Sequence, residues 1–204
     1  MNISPQTRLA ILGTMSDLHR QPISYDLNCL RQIVADISHD LLCAEITMKD
    51  WEQEDFSRAA LEVREALAPV IASTDIVLIP VAPSPEQYTD FAPDSGWRHQ
   101  LVMTFDRLLR WGQTQADDAR TVNGPWFGAF CHTMCWVTES LWNASDCVAW
   151  ERQNQELAGN IVRAVQRDSG RRILIAVQCQ RLHRLIPLLH AHDDLFKMVG
   201  YQNL

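Results

Sequence analysis

Apolar residues along the chain follow two spacings. Continuous short runs occur at Arg8-Leu-Ala-Ile-Leu-Gly13, Leu41-Leu-Cys-Ala-Glu-Ile46, Asp75-Ile-Val-Leu-Ile-Pro-Val81 and Arg172-Ile-Leu-Ile-Ala-Val177, as strands buried on both faces require. Between them the period becomes helical. Leu27, Leu30, Ile33, Val34 and Ile37 share one face within residues 24–38, which predicts a β-α-β unit with a right-handed crossover. Asp50 with Gln53 three residues on resembles a capping box, and Phe56, Ala60, Val63, Leu67, Val70 and Ile71 make one stripe behind it. The proline-rich stretch from Pro80 to Pro93 then breaks the pattern. Helical spacing resumes at Leu101, Phe105, Leu108 and Leu109 and again over about 126–142, so residues 83–149 read as a mostly helical insertion. A further helix carries Trp150, Asn154, Leu157, Ala158, Ile161 and Val165 and should end near Ser169-Gly170, with glycine as its cap. After the last buried strand, Leu182, Leu185, Ile186 and Leu189 predict a short helix, and Leu195 to Val199 an edge strand. The expected architecture is α/β: one domain over 1–204, with a mainly parallel sheet flanked by helices.

Composition narrows the class. The 204 residues are 47% hydrophobic and 21% charged, which suits a soluble globular chain and excludes a disordered or collagenous one. No apolar run is long enough to span a membrane, and residues 1–8 lack the basic flank and apolar stretch of a secretory leader, so a cytoplasmic protein without a membrane partner is expected. The six cysteines are scattered through apolar patterns and read as reduced thiols. A net charge of −7 argues against a nucleic-acid partner. Residues 151–190 nevertheless carry seven arginines against three acidic residues, which suits contacts to carboxylate or phosphate and equally a solvated face.

Parallel α/β sheets bind ligands outside the carboxyl ends of their strands, so the residues just past each strand matter most. Strand one is followed by Thr14, Ser16, Asp17, His19 and Arg20; strand two ends on Glu45; the late strand is followed by Gln178, Cys179, Arg181 and His183. A carboxylate ending an apolar strand must be paired, protonated or cation-bound if it is buried. Glu45 is therefore the leading candidate, either as a functional group or in a salt bridge to Arg20 or Arg181. Two histidines and one glutamate at neighbouring strand ends suit a catalytic metal with an open position, although a lone histidine in a loop is more often a hydrogen-bonded surface residue than a ligand. Cys131-His-Thr-Met-Cys135 would place two thiols on adjacent turns of one helix face, as part of a zinc or redox site or as buried thiols. Trp126, Trp136, Trp142 and Trp150 could line a pocket or pack in a core. No P-loop, Gly-x-Gly-x-x-Gly or Gly-x-Ser-x-Gly motif occurs.

In this order the residues resemble the TraB/Tiki superfamily, which includes the erythromycin-esterase-like and ChaN-like proteins. Its pattern is a first strand ending Gly-Thr-x-His, a second ending in Glu, a late helix Arg-Asn-x-x-Met-Ala, and a strand ending Gly-x-x-His. Gly13-Thr14-Met15-Ser16 carries serine in place of the first histidine, and Glu45 matches the second motif. Gln153-Asn154-Gln155-Glu156-Leu157-Ala158 keeps Asn154 and Ala158, while Val177-Gln178-Cys179-Gln180-Arg181 carries arginine in place of the last histidine. The likeness covers about residues 8–82 and 150–204. It implies two half-sheets and a strand-end site that supports metal-dependent proteolysis or ester hydrolysis in active relatives and binds haem in ChaN-like ones. On that reading Glu45 and His19 would bind a divalent metal (Mn, Co or Zn) or activate water, with His183 as a third ligand. Arg20, Asn154 and Arg181 would hold a small-molecule or peptide substrate. The alternatives are a non-catalytic protein binding a small ligand, for instance haem through His19 or His132, and an interaction scaffold acting as a homodimer.

Overall fold

The computed structural model of the protein describes residues 6–84 and 95–204. Its strands are β1 (Thr7–Thr14), β2 (Leu41–Ala44), β3 (Val77–Pro80), β4 (Arg172–Gln178) and β5 (Phe196–Gly200). All pair in parallel in one sheet of order β3-β2-β4-β1-β5. All the described strands thus belong to a single sheet. β4 lies at the centre, which is why Ile173 to Val177 are all buried and the run carries no polar alternation.

The helices are α1 (Leu27–Asp36), α2 (Met48–Glu52), α3 (Ala68–Ala72), α4 (Trp97–Thr114), α5 (Ala119–Val122), α6 (Pro125–Ser140), α7 (Ala144–Arg167) and α8 (Leu182–His190). Local chemistry sets their starts. Asp26, Thr47, Asp118 and Asn143 each accept a backbone N–H from the first turn of the helix they cap, and Pro125 opens α6 where no N–H is needed. Asp50 is therefore not a cap, because Thr47 takes that position three residues earlier. The predicted stripe from Phe56 to Ile71 is also not one helix. α2 ends at Glu52, Glu54 adopts φ 52°, and helical winding resumes only at Leu61. There a π-wound turn, Val63–Leu67, leads into α3, whose Pro69 has no N–H to give. Gly170 does take the left-handed conformation after α7 (φ 82°), two residues beyond the cap residue Asp168, and its N–H donates to Thr7 Oγ1. The break expected over Pro80 to Pro93 falls largely outside the described residues.

Connections β1 to β2 and β2 to β3 step toward one edge of the sheet. α1 and residues 61–72 pack on one sheet face with Ala10, Leu12, Leu42, Ala44, Leu174 and Ala176. Connections β3 to β4 and β4 to β5 step back the other way, and α7 and α8 cover the opposite face with Leu9, Cys43, Ile173, Ile175 and Val177. The chain thus leaves β4 toward one face and leaves its neighbours β2 and β1 toward the other. That arrangement opens a crevice at their carboxyl ends.

The helical segment packs over part of that end. Asn123 Oδ1, after α5, accepts the Gly13 N–H at 2.6 Å. A side chain on Gly13 would meet Leu182, Asn123 and Cys179 at 3.0–3.1 Å, so glycine is what lets these elements approach. Most of the tryptophans lie elsewhere: Trp97, Trp111, Trp126 and Trp136 are exposed, Trp126 to 89%, while Trp142 and Trp150 pack edge to face. No helix among the described residues is long and apolar enough to cross a membrane.

Candidate functional site

Glu45 leaves the end of β2 and reaches beneath β4. Its Oε2 accepts the Gln178 N–H at 2.8 Å, and its Oε1 lies 2.7 Å from Arg181 Nε in an ion pair whose side chains are 7% and 5% exposed. Burial pushes the Glu45 carboxyl above its ordinary value, against the pull of Arg181 and the Gln178 N–H. Arg181 is held on three further sides. Asn154 Oδ1 and Gln153 Oε1 of α7 accept from its terminal nitrogens at 3.3 and 3.4 Å, and the Trp150 ring faces its guanidinium at 4.4 Å. Of the two alternatives for Glu45, a salt bridge to Arg20 or to Arg181, the second is formed.

This pair forms part of the lining of a cleft of about 450 Å³, together with Ser16, Lys49, Arg58 and Gln178. Ser16 adopts φ 52°, a conformation rare outside glycine, at the turn leaving β1. Lys49 and Arg58 are exposed at the lining, and among the described residues neither lies within ion-pair distance of a carboxylate. Asp50, also in the lining, accepts the Thr47 hydroxyl at 2.7 Å.

The other anticipated residues are held elsewhere. His19 is buried, with Nε2 accepting the Met15 N–H at 2.9 Å and Nδ1 donating to the Tyr25 carbonyl at 2.7 Å. Both roles are forced, because a backbone N–H can only donate and a carbonyl only accept. The ring is therefore neutral and has no lone pair left for a metal or a haem iron; burial also lowers its pKa. In this structure His19 staples the turn after β1 rather than facing the cleft with a free ring nitrogen. His183 donates through Nε2 to Glu139 at 2.9 Å, and His132 stacks on it. Arg20 pairs with Glu65 on the surface. Glu45 itself is occupied by Arg181. Among the described residues, no three or more His, Cys, Asp or Glu side chains are arranged to hold a metal ion. Among the described residues Glu45, His19 and His183 are therefore not gathered around one common position.

Two buried acids lie outside the expectation. Glu139 of α6 accepts from Trp150 Nε1 at 2.9 Å, from His183 and from Arg184, tying α6 to α7 and α8. Burial alone would raise its carboxyl; His183 and Arg184 outweigh it and hold it below the ordinary value. Glu62 is 3% exposed, takes the Thr14 hydroxyl on Oε1 at 2.7 Å, and keeps Oε2 buried without a hydrogen-bond partner among the described residues. Burial pushes it up, and its charge would in turn oppose that of Glu45. An acid between Leu61 and Val63 in an apolar stripe was the only sequence signal for it.

Glu62 makes a testable contribution to pH dependence. The folded state holds its proton more tightly than the unfolded chain, so its stabilisation is complete below pH 4.5 and is lost as pH rises through the raised folded value. Glu62→Gln should flatten the melting profile on the neutral side of pH 4.5 and leave Tm at pH 8 unchanged or higher, as calorimetry across that range would show. A lower Tm at neutral pH would mean that the ionised form is the one the fold needs.

No family model matches the chain, and neither a curated protein nor a solved structure shows significant similarity to it.

Proposed function

We propose that the protein is a TraB/Tiki-like α/β protein that binds a small carboxylate- or phosphate-bearing molecule in the strand-end cleft, without a metal. One observation carries the reading: the position where the resembling pattern has its last histidine is filled by Arg181, ion-paired with Glu45 at 2.7 Å. A guanidinium there satisfies the glutamate that would otherwise take a cation. Support for an anionic ligand comes from Lys49 and Arg58, whose charges stand uncompensated by an ion pair among the described residues and line the cleft. The likeness itself draws support from convergence: Ser16, Glu45 and Arg181 line one cleft, and Asn154 touches Arg181, although these residues span the chain.

Thermal melting separates this from the metal-hydrolase reading. Inorganic phosphate, phosphate monoesters and small mono- and dicarboxylates are tested alongside Mn, Co and Zn. A ligand at about 100 times its Kd stabilises by roughly 2.7 kcal/mol, a shift of about 5–10 °C for a chain of this size. A shift with one class of anion, lost in Lys49→Ala/Arg58→Ala, is the expected result. Stabilisation by a metal alone, abolished by Glu45→Ala, would overturn the reading and restore Glu45 as a ligand.

A further inference from the structure

Helix α4 carries an apolar stripe on the side turned away from the core. Its inner residues Val102, Leu109 and Gln113 are buried, and α6 fixes its place, since a side chain on Gly112 would meet the Phe130 ring at 2.5 Å. Ion pairs from Arg110 to Asp106 and to Asp17, at 3.0 and 2.9 Å, hold it from the side. The outer face carries Trp97, Leu101, Thr104, Leu108 and Trp111, alternately four and three residues apart, which is the spacing of a seam that packs on a second helix. No charge interrupts it. Trp97 is 66% exposed and Trp111 61%, and both leucines are exposed, so the stripe is a continuous patch rather than scattered single residues. Its one polar member is already satisfied. Thr104 Oγ1 donates to the Gln100 carbonyl of its own helix at 2.7 Å, so covering the stripe strands no hydroxyl donor.

We propose that this face docks a second copy of the chain, in a two-fold dimer whose α4 helices cross antiparallel at Thr104. The stripe reads alike in both directions, Trp-Leu-Thr-Leu-Trp, and each tryptophan lies seven residues from Thr104, about 10 Å along the helix. A two-fold axis at that threonine brings Trp97 of one copy to the Trp111 end of the other and Leu101 to Leu108, so one patch complements itself. The small residue at the crossing lets the helices approach closely. Arg107, on the flank of the stripe, comes beside the partner's Gln100, and like charges do not oppose each other across the seam. Area fits the same occupant. The two tryptophans expose roughly 200–300 Å² on each copy, and α4 is about 27 Å long. Two copies would therefore bury on the order of 1,000 Å², the lower end for a specific contact and the area of a reversible dimer. The proposal is independent of the cleft ligand.

Sedimentation equilibrium of the full chain, from about 1 to about 300 µM, reads the mass directly. The expected result is a rise from the monomer mass toward twice that value as concentration increases. Leu101→Glu and Leu108→Arg each place an unpaired charge in the seam and should raise Kd on the order of tenfold or more. Mixed together, the two variants should associate again, because position 101 of one copy meets position 108 of the other and the charges pair. Only antiparallel contact does this. Both positions lie on the outside of α4, so each variant should melt within about 2 °C of the parent. The parent measurement needs no variant to fold. A monomer mass across the whole range, a dimer undiminished in either single variant, or a mixture that stays monomeric would overturn the proposal. A chain that remains monomeric and instead binds phosphatidylcholine vesicles, with binding lost in Leu101→Glu, would assign the face to a lipid surface and overturn it as well.

Discussion

Arg181→Ala should lower the melting temperature by about 10 °C or more. Removing one partner of a buried ion pair costs about 3–5 kcal/mol, because the remaining charge loses its compensation while staying out of water. Here that charge is Glu45, whose other anchor is the single Gln178 N–H. The substitution also strips the Trp150 face and the Asn154 and Gln153 oxygens of their shared donor. At about 2–4 °C per kcal/mol for a chain of this size, the loss is large on a melting curve. The double variant Glu45→Leu/Arg181→Met provides the control. Well-packed apolar residues replace buried pairs at little net cost, so most of the loss should return. If Arg181→Ala melts within about 2 °C of the parent, the pair is not buried in solution as described.

Glu139→Ala is the second large effect, again about 3–5 kcal/mol. The carboxylate accepts from donors on two other helices, and its loss leaves the part-buried Trp150 and His183 N–H groups without that acceptor. Arg184, 40% exposed, can turn to water and adds less. Glu139→Gln separates charge from packing. Because the Glu139 carboxyl is held below its ordinary value when folded, its stabilisation is present above pH 4.5 and disappears as pH falls through the folded value. The gap in Tm between the parent and Glu139→Gln should therefore be widest near neutrality and close in acid, the opposite trend to Glu62. A gap that does not change with pH would show that shape, not charge, is what Glu139 supplies. Since the same carboxylate holds the Trp150 indole against which Arg181 lies, Glu139→Ala should also weaken anion binding in the cleft.

Much of the framework was legible before any tertiary information. The four continuous apolar runs are strands because a parallel strand covered on both faces has no polar side to show, and β4 is the clearest case. Glu45 stood out for the complementary reason, as a charge placed where such a run ends. The second helix misled because its apolar stripe is continuous in sequence, while Thr47 captures the helix start and Glu54 breaks the winding; both events are settled within a turn and leave the stripe unchanged. Periodicity records which residues are buried, not which backbone hydrogen bonds join them.

Pairings were another matter. That Glu45 meets Arg181 rather than Arg20 depends on β2 lying beside β4, a strand order that no local pattern encodes. His19 has the sequence appearance of a free strand-end ligand, yet the turn it closes uses both ring nitrogens. Local spacing determined where this chain is apolar, where it turns and which acid had to find a partner; only the packed sheet decided the partner, because a buried charge is satisfied by whatever the topology brings within about 3 Å of it.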